Sequence, residues 1–586
     1  MRKKKDNLDQ FTFSMLAIVV GIVAGFGAVF FRILIAFIHN EMFFGKFSIF
    51  YNSNAHIPPS IWGKYVILVP VAGALGVAFL VKNFAPEAKG HGVPEVMDAI
   101  YYNKGIIRPI VAAIKSLASA LSIGSGGSIG REGPIVQIGS TFGSMIGQWV
   151  KMPAWQRITL IGAGAGAGIA ATFNTPIGGL LFAIELMVPE LSVRTFVPIA
   201  ISTSTATFIG RIFFGNTPSF IIPAFAIPKD QLTNPYLLLT YIGLGLIVGS
   251  ASALFIKSIY GFEDFFDKMP GNYYTRHVIG MLAQGTLMYL LFVYAGHYYV
   301  AGVGYSTIQD VLMNVLLNPY FLLLLASLKL LATSLTLGSG ASGGIFSPSL
   351  FMGATLGSMY GSFLNVIHPA MSANPAAFGV VGMAGMIGGT TGAAITAIVM
   401  VFEMTRNYNV IIPMIITVAI ADGVRRVISP DSIYTKKLTR RGHLIPEVFH
   451  MNILLVKRVK DVMEKRVIGI QKDMKIREVI EEHGESAVLS FVVKDGNTVV
   501  GVVTLKYLLR QLNKDIKIEQ VMSKDYVIAQ ENDTLFKIIG QMRKRRCPTA
   551  LVTLNGKCAS ISDVLGIITK EEIAEAAAEQ VELFTN

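Results

Sequence analysis

The sequence predicts an α-helical polytopic membrane protein. Two pseudo-symmetric, inverted repeats of broken, tilted helices should be followed by a small α/β tail. Three observations lead there. The 586 residues are 52% hydrophobic and only 15% charged, against about 25% charged residues in soluble domains. An eleven-residue stretch occurs twice in apolar sequence, as GSGGSIGREGP (124–134) and GSGASGGIFSP (338–348). Past residue 430 charge returns, and the chain alternates strand-like and helix-like patterns with a repeat of its own.

The membrane elements begin with apolar runs at 13–38, 65–80, 237–256 and 319–337. A span needs about 20 apolar residues. Many runs are shorter or are broken by Gly and Pro, as in helices packed among other helices. The basic start MRKKK reads as a retained cytosolic segment (1–12) rather than a cleaved signal. Arg425, Arg426, Lys436, Lys437, Arg440 and Arg441 follow the last span. The positive-inside rule then places both termini in the cytoplasm of a multi-pass plasma-membrane protein. The net charge of +13 is explained by this topology, so the lipid bilayer is expected as a partner and nucleic acid is not. Cys547 and Cys558 both fall in the tail, and no disulfide framework is implied.

The expected domains are a membrane part at 13–434, a linker at 435–458 and a tail at 459–580. Repeat one is placed at about 60–215 and repeat two at about 236–430. Beyond the glycine-rich copies, residues 162–185 line up with 380–403, so Glu185 and Glu403 stand 218 positions apart in matching contexts. Repeats of this size are a transporter signature. In the tail, VKDVM (459–463) matches IEQVM (518–522), and VVGVVTL (499–505) resembles VLGIITK (564–570). The two copies run over about 459–511 and 518–575.

Four segments carry the chemistry: GHGVPE (90–95), GREGP (130–134), GGIFSP (343–348) and SIYTKKL (432–438). A halide leaving water for a dry interior needs compensation for its lost hydration. A helix N-terminus offers about half a positive charge and directed N–H donors. Glycine lets backbone approach closely, and proline in a first turn removes no needed donor. A lone GxG pair would more simply mean close helix packing; the four segments together indicate an anion path.

In order and spacing these segments resemble the CLC family of chloride channels and proton-coupled anion transporters, here of the prokaryotic type, and the tail resembles a tandem CBS pair. The resemblance implies a homodimer with one anion path per subunit. It implies that the backbone of Ile345 and Phe346, the phenol of Tyr434, and the segments around His91, Gly92, Val93, Arg131 and Gly133 surround the anion. Glu132 is implied as the outer gate: ionised, its carboxylate occupies an anion site; protonated, it leaves. Arg131 beside it is read as pairing or capping carbonyls while adding positive potential. Glu403 is expected near the inner surface, and Glu185 as a structural or water-gating group.

Two positions depart from the family. Coupled relatives commonly carry a second glutamate where this chain has Leu186, which leaves the proton path to Glu132, Glu185 and His91. His91 stands where serine is usual and can titrate near neutrality. Leu186 tilts the expectation toward a voltage- or pH-gated chloride channel, with a coupled chloride/proton antiporter as the alternative. A CBS-regulated divalent-cation transporter is the alternative of another class, but such a path should be lined with carboxylates. No HExxH, GxSxG or Walker pattern suggests an enzyme. No cofactor is required. ATP, ADP or AMP at the tail is expected at most at one site: Thr569 and Glu572 retain an acid three residues after the threonine, whereas Thr504 is followed by Tyr507.

Overall fold

Apolar length sets the frame. In the computed structural model, seven helices among the described residues are long and apolar enough to cross a membrane: Gln10–Phe44, Gly63–Asn83, Val193–Phe214, Tyr236–Lys268, Tyr273–Ala295, Pro319–Ser339 and Phe346–Ile367. The structure describes residues 8–188, 191–221, 235–369, 374–443, 445, 457–483, 490–556 and 560–576. The basic start MRKKK, most of 444–456, Cys558 and 577–580 lie outside them. The chain divides into two compact units, Met1–His443 and Leu444–Asn586.

Within the first unit, the glycine-rich helices Glu132–Trp149 and Ala154–Phe173 pack on each other, as do Phe346–Ile367 and Pro375–Thr391. The cause is backbone proximity. A Cβ at Gly139 would overlap the Gly164 carbonyl, and one at Gly353 would overlap the Gly382 carbonyl. Small residues allow this approach where lipid supplies no hydrophobic drive between helices.

The repeats are inverted, because their contacts are exchanged between mates. Ser119 Oγ lies 2.9 Å from Ser342 Oγ, and Ser128 Oγ lies 3.3 Å from Thr333 Oγ1. Glu185 accepts from the N–H groups of Ile395 (3.2 Å) and Thr396 (2.8 Å), while Glu403 accepts from those of Ile177 (3.2 Å) and Gly178 (2.7 Å). Each glutamate, late in one short helical segment, caps the start of the other (Pro176–Met187 and Ala394–Thr405). Neighbouring helices joined end to start in this way are antiparallel, so the pseudo-twofold axis lies across them, in the membrane plane.

The first repeat starts earlier than expected. Gln10–Phe44 packs on Val193–Phe214 as Pro235–Lys268 packs on Ile411–Ile428. It therefore opens repeat one, near residue 10 rather than 60. These outer helices share no motif that sequence comparison could align. The membrane unit also runs past 434: the helix Ile433–Arg440 carries it on to His443.

In the second unit each copy forms a three-stranded sheet. In the first, β1 (Ile468–Gln471) pairs parallel with β2 (Ser490–Asp495), which pairs antiparallel with β3 (Thr498–Thr504). In the second, β4 (Val527–Gln530), β5 (Thr549–Thr553) and β6 (Val564–Thr569) repeat the pattern. The leading segments are exchanged: Val459 is buried with Val527 and Leu535 of the second copy, and Ile518 with Ile470 and Ile476 of the first. Val492 and Val502 pack with Leu551 and Ile567 between the sheets.

Candidate functional site

Three glycine-rich breaks converge on the pseudo-twofold axis. The N–H of Gly130 donates to the Gly344 carbonyl at 2.7 Å, and the N–H of Gly344 returns the bond at 2.6 Å. These two glycines are mates in the repeat, so the axis passes between them. Gly90 joins from the side: its N–H donates to Ala341 O (3.0 Å), and its carbonyl accepts from Gly343 N–H (3.2 Å). Gly133 lies so close to the His91 carbonyl that a Cβ there would overlap it. The helices Val93–Tyr101, Glu132–Trp149 and Phe346–Ile367 all begin at this junction. Gly92 caps the first with φ +81°, a left-handed backbone that L side chains rarely adopt.

Glu132 is 2% exposed and its carboxylate crosses to the other repeat. Oε2 accepts from the Ser347 N–H at 3.3 Å. Oε1 accepts from the Tyr305 hydroxyl at 2.9 Å and from the Ser347 hydroxyl. The carboxylate thus sits on the first turn of Phe346–Ile367, where unpaired N–H groups favour negative charge. The N–H groups of Ile345 and Phe346 beside it find no acceptor among the described residues. An anion and this carboxylate would use the same kind of donor in the same place.

On the opposite side of the junction, Tyr434 is 3% exposed and its ring lies 5.9 Å from that of His91. His91 is equally buried. Its Nε2 is 3.4 Å from the Tyr260 hydroxyl, which donates to Ile433 O at 2.5 Å, and its Nδ1 has no partner among the described residues. The helix bearing Tyr434 is clamped onto the helix that follows His91. Arg441 donates twice to Glu95 (2.9 and 2.7 Å), Lys437 lies 3.3 Å from the same carboxylate, and His443 Nδ1 is 2.5 Å from Asp98. The basic run read as a topology signal therefore also positions Tyr434.

Four participants were not foreseen. Lys115 is fully buried and donates to the carbonyls of Ala88 (3.0 Å) and Gly90 (2.7 Å). Its mate Lys329, equally buried, donates to Val300 (3.1 Å) and Gly302 (3.0 Å). Each amine holds the loop ahead of a helix whose N-cap is a positive-φ glycine, Gly92 or Gly304. The second loop, 301–305, is the counterpart of 89–93, and it delivers Tyr305 to Glu132. Ser347 is the fourth. Lys115 and Lys329 stand 214 positions apart in the sequence, the same offset as the glycine-rich copies, and that was the available signal.

Two expectations are corrected. Arg131 neither caps a carbonyl nor meets a carboxylate among the described residues. Its guanidinium lies 5.1 Å over the Tyr305 ring, and its Nε is buried without a partner. Glu403 is on the Glu132 side, not the opposite one: adjacent Met404 accepts from Phe220 N–H (3.3 Å), and the Phe220 ring packs 5.2 Å from Tyr305. Glu185 takes the far side, where it also accepts from the Thr396 hydroxyl (2.7 Å), and Leu186 next to it is buried. In the tail, Glu572 accepts from the N–H of Thr569 (2.6 Å) and from its hydroxyl. The pair closes on itself as a helix cap.

The family model described as voltage gated chloride channel matches residues 73–426. The chain belongs to the CLC family. The CBS domain model matches twice, at 459–514 and 518–579. The chain is 32% identical over 439 residues to the H(+)/Cl(-) exchange transporter ClcA of Cronobacter sakazakii, covering 73% of this chain and 90% of that one. It is 32% identical over 384 residues to the putative chloride channel protein ClcB-like of Ralstonia nicotianae, covering 65% and 86%. Among solved structures, a slow cyanobacterial Cl-/H+ antiporter matches with TM-score 0.64 and 26% identity, covering 74% of this chain and 99% of that one. A eukaryotic CLC transporter, at 19% identity and TM-score 0.60, covers 96% and 97% and shares the fold.

Tyr305→Phe removes one donor from the seated carboxylate, a charge-assisted bond worth about 1.5–3 kcal/mol. The carboxylate should then compete less well, and chloride flux into liposomes at neutral pH should rise several-fold. Unchanged flux would show that this bond does not hold the Glu132 carboxylate in competition with chloride.

Proposed function

We propose that this CLC protein exchanges chloride for protons. The observation that carries the reading is the position of Glu132. Its carboxylate takes the first-turn N–H of Ser347, a donor that would otherwise meet an anion. A proton on the carboxylate abolishes the charge that seats it, so one residue couples proton uptake to vacating an anion site. The exchange transporters among the relatives support this reading over the channel that Leu186 suggested.

The proton must reach Glu132 without an acid at 186. Glu185 is spent on Ile395 and Thr396, which leaves His91, with its unpartnered Nδ1 beside Tyr434, as the titratable group of the inner route. The basic residues at 425–441 support a cytoplasmic face on the Tyr434 side and an outer face on the Glu132 side. A homodimer is supported by the mates Ile177 and Ile395, 52% and 46% exposed on helices too short to span alone. A second copy would cover these exposed side chains and shield the glutamate-capped helix starts beside them from lipid. The divalent-cation alternative is weakened because Glu132, Glu185 and Glu403 are spent on separate donors and do not converge. For the tail we propose modulation of transport; an adenine nucleotide using Thr569 would have to open its pair with Glu572.

In liposomes with a chloride gradient, the unmodified protein should drive protons against chloride. Glu132→Gln should keep chloride flux and lose proton movement. Proton pumping by that variant, or none by the parent, contradicts the proposal. Chloride flux against pH on the Tyr434 side should differ between the parent and His91→Ser; coincident curves remove His91 from the route.

A further inference from the structure

Two guanidinium groups on the Glu132 side have no carboxylate partner among the described residues. Arg131 is 7% exposed and its Nε is an orphan donor. Arg32, from the middle of Gln10–Phe44, rests 4.2 Å over the Phe214 ring. Both line the same two cavities, one of about 450 Å³ and one of about 90 Å³, and no Asp or Glu lines either. Two like charges sharing a recess without a counter-charge repel each other, and burying them costs solvation unless they are paired.

The smaller cavity is the polar one. Besides the two arginines it is lined by Ser53, Asn54, Thr217 and the Tyr305 ring. Its volume of about 90 Å³ leaves room for a halide that retains part of its hydration shell. Tyr305 links it to Glu132: the Arg131 guanidinium lies 5.1 Å over that ring, and the hydroxyl donates to Glu132. The larger cavity, with Ile33, Phe50 and Phe213 among its walls, is lined by the same two arginines.

We propose that Arg32 and Arg131 form an additional binding site for a small monovalent inorganic anion, outside the gate and separate from the site that Glu132 occupies. It concentrates anions on that side and supplies the ion that takes the Ser347 donor when Glu132 leaves. Guanidinium suits the task because it is weakly hydrated and offers a planar array of donors. The inference rests on the anion-transport reading, and its test separates the two.

The first test is anomalous diffraction from the unmodified protein crystallised in bromide. A peak between Arg32 and Arg131 is expected. A peak near Phe346 and Tyr434 with none at the arginines overturns this inference alone. No peak in either place overturns the transport reading as well. The second test is flux of reconstituted full-length protein against chloride on each side separately. Arg32→Gln should raise the chloride needed for half-maximal flux at least about threefold on the Glu132 side only, and Arg32→Lys should restore much of it. No shift, or equal shifts on both sides, overturns the site.

Discussion

Everything in the membrane unit depends on one reciprocal pair of backbone hydrogen bonds, Gly130 to Gly344 and back. Two residues that are mates under a pseudo-twofold axis bond each other only if they straddle it. That places two interrupted segments back to back at the centre of the protein. Each segment is followed at once by a helix, Glu132–Trp149 and Phe346–Ile367, whose unpaired N–H groups therefore face the same small region. Unsatisfied backbone is tolerated in a membrane only where it lines a protected cavity. Here it is what makes the interior receptive to negative charge.

Positive side chains serve this arrangement indirectly. Lys115 and Lys329 are fully buried, but their amines are directed at loop carbonyls. They fix the approach of two more helices without presenting a point charge to the ion. The donors at the junction are neutral: the Ser347 N–H and hydroxyl and the Tyr305 phenol on one side, and the Tyr434 phenol on the other. Such donors bind an anion and release it. They also hold a carboxylate, that of Glu132, which the second break itself supplies.

What could be read from the sequence was what both repeats spell the same way. The glycine-rich copies, Glu132 within GREGP, and the tandem tail are local patterns. The partners of Glu132 were not legible. The loop at 301–305 shares only a GxG pair with 89–93 and lacks its histidine and the proline that follows, too little to mark it as the counterpart until the lysine clamps are placed. The first repeat was cut short because Gln10–Phe44 and Pro235–Lys268 share a role in packing but no motif. The exchange of leading segments between the tail copies, and the placement of Glu403 on the gate side, depend on how elements are paired in space, which periodicity does not encode.

The central claim is that an anion and the Glu132 carboxylate compete for one set of helix-start donors. Equilibrium chloride binding by the purified protein, followed from neutral to acid pH beside Glu132→Gln, tests it most directly. The account expects the parent to bind more chloride as pH falls, and the variant to hold the acid-level amount at every pH. Chloride binding that is independent of pH in the parent, and unchanged in the variant, would contradict it.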